Sequence, residues 1–426
     1  MNRENQRRFA FDWLTIIVYL LLVGFGYVNI MSASHNGEII SYFDMTQSYG
    51  KHLIFMGSAV VLIVLILSVE TKFYERFASI IYVVSILSLL GLFIFGKDIN
   101  GARSWYSLGI MTLQPSEFAK FATALAVAKY ISDIQTNLKT IADQLKAAAI
   151  IFLPALLILL QNDAGSTLVY ASFFFVFYRE GLQQIYVIFG FSLIVLAVLA
   201  LKFDLIYTSI VAAVIIFGGY FLVKKKRRTI LQPLLILAIS LGFAFGVKMF
   251  YSHILKPHQQ NRISLWLRLE KDPEKLEQMR KAEAYNLIQS EEAISAGRFW
   301  GKGFMEGTRT TGKFVPEQDT DYIFSTVGEE WGFLGSSIVI ILFVILIVRI
   351  LVLAERQKTQ FSRVYGYGVA SILFLHFTIN IGMVMGLIPT VGIPLPFFSA
   401  GGSSLWAFTI LLFIFIKLDS NKINEW

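Results

Sequence analysis

The chain contains no cysteine, which excludes disulfides, thiol nucleophiles, thiolate zinc sites and iron–sulfur clusters together. Histidine is nearly as scarce. The five that occur (His35, His52, His253, His258, His376) show no ligand-like spacing, so a histidine-rich metal site is not expected. Charge is also short: Asp, Glu, Lys and Arg make up 15 % of 426 residues, against about 25 % in an average soluble domain. Internal repeats of the transporter kind are not recognisable. In place of charge stand 56 % hydrophobic residues, 38 of all residues being Phe, and a mean hydropathy of +0.63. Too little polar surface remains to wrap a soluble core, so the composition predicts an integral membrane protein. The formal charge of +8, from 37 basic and 29 acidic residues, is read as the topology signal of such proteins, and no nucleic-acid partner is expected.

A bilayer-spanning helix needs roughly 20 apolar residues. Arg3, Arg7 and Arg8 before Leu14–Met31 resemble a secretory signal, but the run is too long and reads as an uncleaved first span. Apolar runs at 14–31, 53–69, 78–96, 116–132, 146–160, 164–178, 185–201, 205–223, 229–250, 335–353, 364–387 and 402–417 give about 12 spans. The two that meet at Gln161-Asn162-Asp163 also read as one bent element. The runs are continuous, without strand-like alternation, so the expected class is an all-α polytopic membrane protein. Its expected divisions are residues 1–250, holding nine spans; an outer loop at 251–334; and 335–426, with three spans and a Pro/Gly/Ser-rich outer element at 386–404. Placing both termini in the cytoplasm puts about twenty Lys and Arg inside, and only Lys51, Lys97, Arg103 and Lys202 in the short outer loops. The run Lys224–Arg228 nearly fixes that orientation, and it is also able to hold anionic membrane lipids. The long loop is exempt from the charge rule, and its aromatic content argues against disorder. Helical propensity there covers Leu276 to Gln289.

Four places carry polar groups that a membrane tolerates poorly. The first runs from Asn100 through Arg103 and Trp105 to Gln114-Pro115-Ser116-Glu117 and Lys120. Pro115 suits a first helical turn, and Glu117 with Lys120 at i+3 makes a local ion pair. The plain reading is a span entrance with Trp105 as an interfacial residue. The second is Gln161–Ser166, either a functional break or a turn with Asp163 capping the next helix. The third is the loop, where Asp272-Pro273 lies ten residues after Arg262 and Asp319-Thr320-Asp321 follows Glu317. An acid there is either a general base or a solvated turn residue. The fourth, Gly386 to Ser404 with Ser399, is either a rigid loop or a re-entrant element packed on protein, whose free N–H groups suit an anion.

These blocks, in this order, resemble the SEDS family (shape, elongation, division and sporulation) of bacterial membrane glycosyltransferases. The resemblance covers most of the chain. It rests on Asn100–Trp105, Gln114–Lys120, Gln161–Ser166, Arg262 to Asp272-Pro273, Gln289-Ser290, Gly301-Lys302-Gly303, Glu317 with Thr320–Phe324, Gly328–Gly335 and Asn380–Ser404. Gly301–Phe304 with Gly307-Thr308 looks more like the family's elongation branch than its division branch. The resemblance implies polymerisation of lipid II, an undecaprenyl-linked disaccharide-pentapeptide, at the outer face of the cytoplasmic membrane. It also implies a class B penicillin-binding protein as partner. Asp272 matches the family's catalytic aspartate and Trp105 a tryptophan needed for activity. Arg103, Glu117, Lys120, Asp163 and Arg262 match polar residues around an outward cavity, and Gln289, Lys302, Glu317, Asp321 and Ser399 join them as substrate-binding candidates. Two departures stand out. Asp272 and Gln289 are seventeen apart instead of about ten, with a charged stretch at Glu274–Lys281. The usual ten spans are also exceeded by a pair between Ile185 and Phe250, expected at the periphery.

The implied reaction is attack of an acceptor 4-hydroxyl on the anomeric carbon of a lipid-linked donor, with Asp272 as base and undecaprenyl diphosphate released. No covalent intermediate is needed, and inversion follows. No dedicated metal cage is visible. A divalent cation, Mg or Mn, would assist the diphosphate with Asp163 or Glu117 as conceivable ligands. The competing classes are a flippase or transporter of the lipid-linked precursor, and a scaffold that activates an enzyme. The polar residues cluster at one face instead of at a midplane repeat interface, which speaks against a transporter.

Overall fold

The computed structural model describes residues 11–35, 42–99, 101–107, 109, 111–222, 230–282 and 284–421. Asn100, the run Lys224–Arg228 and the arginines before residue 11 lie outside the described residues. The chain opens with α1 (Trp13–Ser34), α2 (Ser48–Ser68) and α3 (Thr71–Phe95). A small sheet follows, β1 (Lys97–Ile99), β2 (Ala102–Ser107) and β3 (Thr112–Leu113), then α4 (Pro115–Ser132) and α5 (Ile141–Leu160). Next are α6 (Ala164–Val169), a 3₁₀ turn at Tyr170–Ser172 and α7 (Phe173–Arg179). Then come α8 (Gln184–Lys202), α9 (Leu205–Leu222) and α10 (Leu231–Met249), which runs into a π turn at Phe250–Ile254. The loop region holds α11 (Pro257–Leu267), α12 (Pro273–Lys281), α13 (Tyr285–Gly297) and α14 (Thr308–Thr311). The last three are α15 (Ile323–Glu355), α16 (Gln360–Val384) and α17 (Gly402–Asn421).

Each of the twelve apolar runs is helical over most of its described length, and the protein is a polytopic helical membrane protein. Among the described residues, nine helices are long and apolar enough to cross a membrane by length and composition. The other three runs fall short for visible reasons. The helix α4 carries Glu117, Lys120 and Lys129, the 164–179 run is broken by its 3₁₀ turn, and α9 is short. The all-α expectation needs one amendment: residues 97–113 form a three-stranded antiparallel sheet in the order β1-β2-β3. The expected helix over 276–289 is interrupted between α12 and α13. The tenth span begins at Ile323, well before the expected 335, with a break at Gly332.

Chain contacts divide the molecule into two compact units, Met1–Leu182 with Asn286–Trp426, and Gln183–Tyr285. In the first unit α4 sits at the centre, packed on α3, α5, α16 and α17, while α1 packs on α15 and α2 on α17. Burial grades the helices: α16 and α17 bury 78 % and 83 % of their apolar windows, whereas α8 and α10 each bury 6 %. Large apolar side chains are exposed along α1, α2, α3, α5, α8, α9, α10 and α15, as lipid-facing helices require. Residues 385–401 are not helical, and from Ile393 to Ser399 they are packed on protein. Ile393, Leu395, Phe397 and Phe398 are buried, and Phe397 and Phe398 meet the rings of Tyr19 and Phe25 of α1 edge-on. That is the arrangement irregular backbone needs at membrane depth. In the second unit α8, α9 and α10 pack on one another, and α11 packs on α12.

Candidate active site

The first polar group is built by the sheet and the start of α4. Lys97 faces Trp105 across β1 and β2, and the turn between them passes through Gly101 at φ 80°. Strand alternation buries Ser104 and sends the Tyr106 hydroxyl to the Ser88 carbonyl of α3 at 2.8 Å. Arg103 and Trp105 share the opposite side, Trp105 half-buried and Arg103 exposed. The Arg103 guanidinium donates to the carbonyls of Gly96 and Ile94, at 3.1 and 3.5 Å, where α3 ends. Its backbone N–H reaches the Gln161 carbonyl at 3.0 Å, which ties the sheet to the second polar break.

Asp163 is the N-cap of α6. Its Oδ1 accepts from the Ser166 N–H at 2.9 Å, and its Oδ2 accepts from Gln114 Nε2 at 3.0 Å and Ser116 Oγ at 3.4 Å. Thus the capping reading holds, and the same carboxylate also gathers the residues around Pro115. One turn further along α4, Lys120 Nζ donates to Glu117 Oε1 at 2.7 Å. Both side chains are only 2 % exposed, so the pair sits inside the helices and does not line an open groove. The ring of His376 on α16 completes the group, its Nε2 2.9 Å from Lys120 Nζ. Sequence reasoning passed over His376. The one available hint was an imidazole within an apolar helix, since 256 residues separate it from Lys120.

The segment 386–403 is laid over these groups. Ser399 Oγ accepts from the Leu395 N–H at 2.8 Å and donates to the Thr320 carbonyl at 2.7 Å, while the Ala400 N–H bonds the Asp319 carbonyl at 2.8 Å. Asn380 Nδ2 donates to the carbonyls of Asp321 and Ile393, at 2.8 and 2.7 Å. The Gln114 N–H donates to Ser403 Oγ at 3.1 Å. Gly165 must be glycine, because a Cβ there would lie 2.9 Å from the Gly392 carbonyl oxygen. Glu317 is exposed at φ 57° and accepts from Thr320 Oγ1 at 3.1 Å.

Lys302 and Gln289 belong to a separate network. Lys302 Nζ bonds Glu329 Oε1 at 2.7 Å, and the same carboxylate takes the Arg309 N–H at 3.0 Å. Arg309 in turn bonds Gln289 and pairs with Glu292 at 2.6 Å. Neither Arg309 nor Glu329 was singled out from the sequence. Arg262, within α11, and Asp272 lie in the second unit. Asp272 is the exposed N-cap of α12 and accepts from the Glu274 N–H at 3.1 Å. Its neighbour Glu270 is committed elsewhere. The Lys275 ammonium, 2.8 Å away, and the N–H groups of Asp272 and Lys271 hold the Glu270 carboxyl below the usual carboxylate range. Among the described residues no three His, Cys, Asp or Glu gather as a metal site.

The FtsW/RodA/SpoVE family model, described as "Cell cycle protein", matches residues 12–208 and 178–424. The peptidoglycan glycosyltransferase RodA of Treponema pallidum (strain Nichols) is 32 % identical over 445 residues, spanning 97 % of this chain and 98 % of that protein. The peptidoglycan glycosyltransferase MrdB of Escherichia coli (strain K12) is 33 % identical over 399 residues, 92 % of this chain and 89 % of its own. Two solved structures share the fold. One, described as "Structural coordination of polymerization and crosslinking by a peptidoglycan synthase complex", has a TM-score of 0.71 at 23 % identity and covers 98 % of this chain and 99 % of its own. The other, the rod shape determining protein RodA of Thermus thermophilus, has a TM-score of 0.60 at 22 % identity, over 97 % and 98 %. With a family model that takes in nearly the whole chain and relatives above 30 % identity along its length, this polytopic membrane protein belongs to the FtsW/RodA/SpoVE family.

Proposed function

We propose that this family member, a glycosyltransferase like its named relatives, polymerises lipid II into glycan strands during cell elongation. The observation that carries the reading is the end-to-end match to proteins named peptidoglycan glycosyltransferase. A cavity of about 290 Å³ supports a lipid-linked substrate. Ile80, Val84, Leu113, Pro115, Phe118 and Phe121 are among its lining, so an apolar groove borders the α4 turn that bears Glu117 and Lys120. A long isoprenoid chain fits that apolar groove, while Glu117 and Lys120 are buried in the same turn and are not part of its lining.

In the proposed reaction the 4-hydroxyl oxygen of the acceptor sugar bonds to the donor's anomeric carbon, the bond from that carbon to the diphosphate breaks, and undecaprenyl diphosphate leaves. The hydroxyl proton passes to Asp272, and the anomeric configuration inverts. Asp272 suits this role better than Glu270, whose carboxylate is engaged by Lys275. The resemblance supports Arg262, in the same unit as Asp272, as a cation for the diphosphate, and, in the other unit, Lys120, Lys302, Arg103, Trp105, Glu117, Asp163, Gln289, Glu317, Asp321 and Ser399 as substrate-binding candidates. A divalent cation, Mg or Mn, would neutralise the diphosphate, with Asp163 or Glu117 as the chain's ligand. A class B penicillin-binding protein is the proposed partner, and the outer face of the cytoplasmic membrane the proposed place of reaction. Purified protein given lipid II in detergent is expected to yield polymer on a gel without nucleotide. Asp272→Asn should lower the rate by roughly 10²–10⁴-fold while Glu270→Gln stays near wild type, both remaining folded. Transfer of lipid II across a bilayer without polymer would instead establish the flippase reading. A folded Asp272→Asn variant with wild-type turnover removes Asp272 from the mechanism.

A further inference from the structure

Lys120 is a buried cation with two protein partners and an aromatic floor. Besides Glu117 Oε1 at 2.7 Å and His376 Nε2 at 2.9 Å, the ring of Phe408 lies 5.1 Å from its ammonium nitrogen. His376 is fully buried, and its ring meets Phe408 edge-on at 4.8 Å. Its other nitrogen, Nδ1, stands 3.2 Å from the carbonyl oxygen of Pro394. These two contacts determine the proton count. A carbonyl only accepts, so Nδ1 carries the hydrogen. An ammonium only donates, so Nε2 presents its lone pair. With Lys120 as the ammonium that pairs with Glu117, the imidazole is neutral, in the Nδ1–H tautomer.

We infer that His376 is a positioning residue, which fixes Lys120 against Glu117 by registering both on the Pro394 carbonyl of the segment 386–401. The inference deepens the proposed function, because it rests on Lys120 contacting substrate. Two of the three ammonium protons are taken, by Glu117 and His376, and the third, on a side chain only 2 % exposed, meets a substrate oxygen only where substrate enters between the helices. Glu117 Oε2 is buried without a hydrogen-bond partner, which leaves the second open valence of the same group. The segment that supplies Pro394 also bears Ser399 and abuts Gly165, next to Asp163. A shift of that segment is thereby transmitted to the lysine through one imidazole.

Two substitutions separate the two hydrogen bonds. In His376→Gln the amide reaches the Nε2 position and keeps an acceptor for Lys120. In His376→Asn the amide ends at the Nδ1 position, so it keeps the donor to Pro394 and loses Lys120. For polymerisation of lipid II, kcat of His376→Gln should stay within about fivefold of wild type, and that of His376→Asn should fall about 10–100-fold, the effect of losing one hydrogen bond to a charged group. Placed on Lys120→Met, His376→Asn should then cost nothing further in kcat. Equal losses in both backgrounds, or equal loss for Gln and Asn, would mean that His376 only packs, and would overturn the inference. Nitrogen-15 NMR of histidine-labelled protein in bilayers reads the same question without activity. His376 should show protonated Nδ1 and bare Nε2, and Lys120→Met should move the Nε2 signal. An Nε2–H tautomer or an imidazolium overturns the inference. Wild-type protein that makes no polymer would sink the proposed function, and the NMR result would still decide the role of His376.

Discussion

Glu329 is fully buried, and five donors converge on its carboxylate. Oε1 accepts from Lys302 Nζ at 2.7 Å, the Arg309 N–H at 3.0 Å and Thr308 Oγ1 at 3.4 Å. Oε2 accepts from the Thr310 N–H and hydroxyl, both at 2.8 Å. A carboxylate so surrounded caps α14 and anchors the glycine-flanked Lys302 in one arrangement. Glu329→Ala would strand a half-buried ammonium and two backbone N–H groups, and should lower stability by about 3–5 kcal/mol, read as a fall in the thermal midpoint in detergent. Adding Lys302→Met to Glu329→Gln should recover part of that loss, because neither charge is then left alone. An unchanged midpoint for Glu329→Ala would show that water satisfies these donors. Lys302 was legible in the sequence from its glycine-flanked motif, but its partner was not. Two adjacent acids ahead of an apolar run look like a solvated helix start, and only the fold reveals that Glu329 faces inward.

At the scale of elements, α15 shows why the tenth span starts where it does. Its helix continues from Ile323 through a break at Gly332, where φ is 62° and ψ is −158°. The segment 298–303 lies flat against the break and exchanges backbone bonds with it. Lys302 and Gly303 donate to the carbonyls of Glu329 and Glu330, both at 3.0 Å, and the Phe333 N–H reaches the Arg298 carbonyl at 2.8 Å. The approach leaves no room for side chains. A Cβ on Gly332 would collide with the Gly301 nitrogen, and one on Gly301 with the Glu330 carbonyl. Gly332→Ala combines that backbone clash with a left-handed φ, and should cost about 1–3 kcal/mol or more. Gly24→Ala, in open space on α1, is the matched control and should not lower the thermal midpoint. A Gly332→Ala protein as stable as the control would show that the break relaxes freely. Hydropathy placed the start of this span at 335 because Glu329, Glu330 and Gly332 end the apolar run. A helix extension held by tertiary backbone bonds has no apolar signature, so the first turns of α15 were read as loop. The apolar body of the helix was legible for the opposite reason: lipid selects for it directly.

For the whole molecule the open question is sidedness, and it reduces to parity. Each of the twelve apolar runs is helical over most of its described length, but only nine qualify as spans by length and composition among the described residues, so the count rests on the three weaker ones. By length alone the broken segment 164–179 is marginal for a crossing. Sixteen residues at about 1.5 Å each, with a slightly longer 3₁₀ turn, cover roughly 25 Å against a hydrocarbon core of about 30 Å. Two features argue that it crosses. Its inner face is buried on α16 through Val169, Tyr170, Phe173 and Val176, and its far end carries Arg179 bonded to Glu355, where a charged boundary belongs. With the N-terminus inside, reporter fusions at Asn162 and at Gly181 should then report opposite sides, and fusions after Lys226 and near Gln278 likewise. The last pair matters most, because Gln278 lies on the helix that Asp272 caps. If 164–179 fails to cross, Asn162 and Gly181 share a side. Each later segment then inverts, and α12 lies in the cytoplasm. Lipid-linked donor at the outer face would be out of reach of Asp272. A cytoplasmic signal at Gln278 therefore removes the proposed reaction, while a signal outside leaves Asp272 on the side where a flipped, lipid-linked sugar is available.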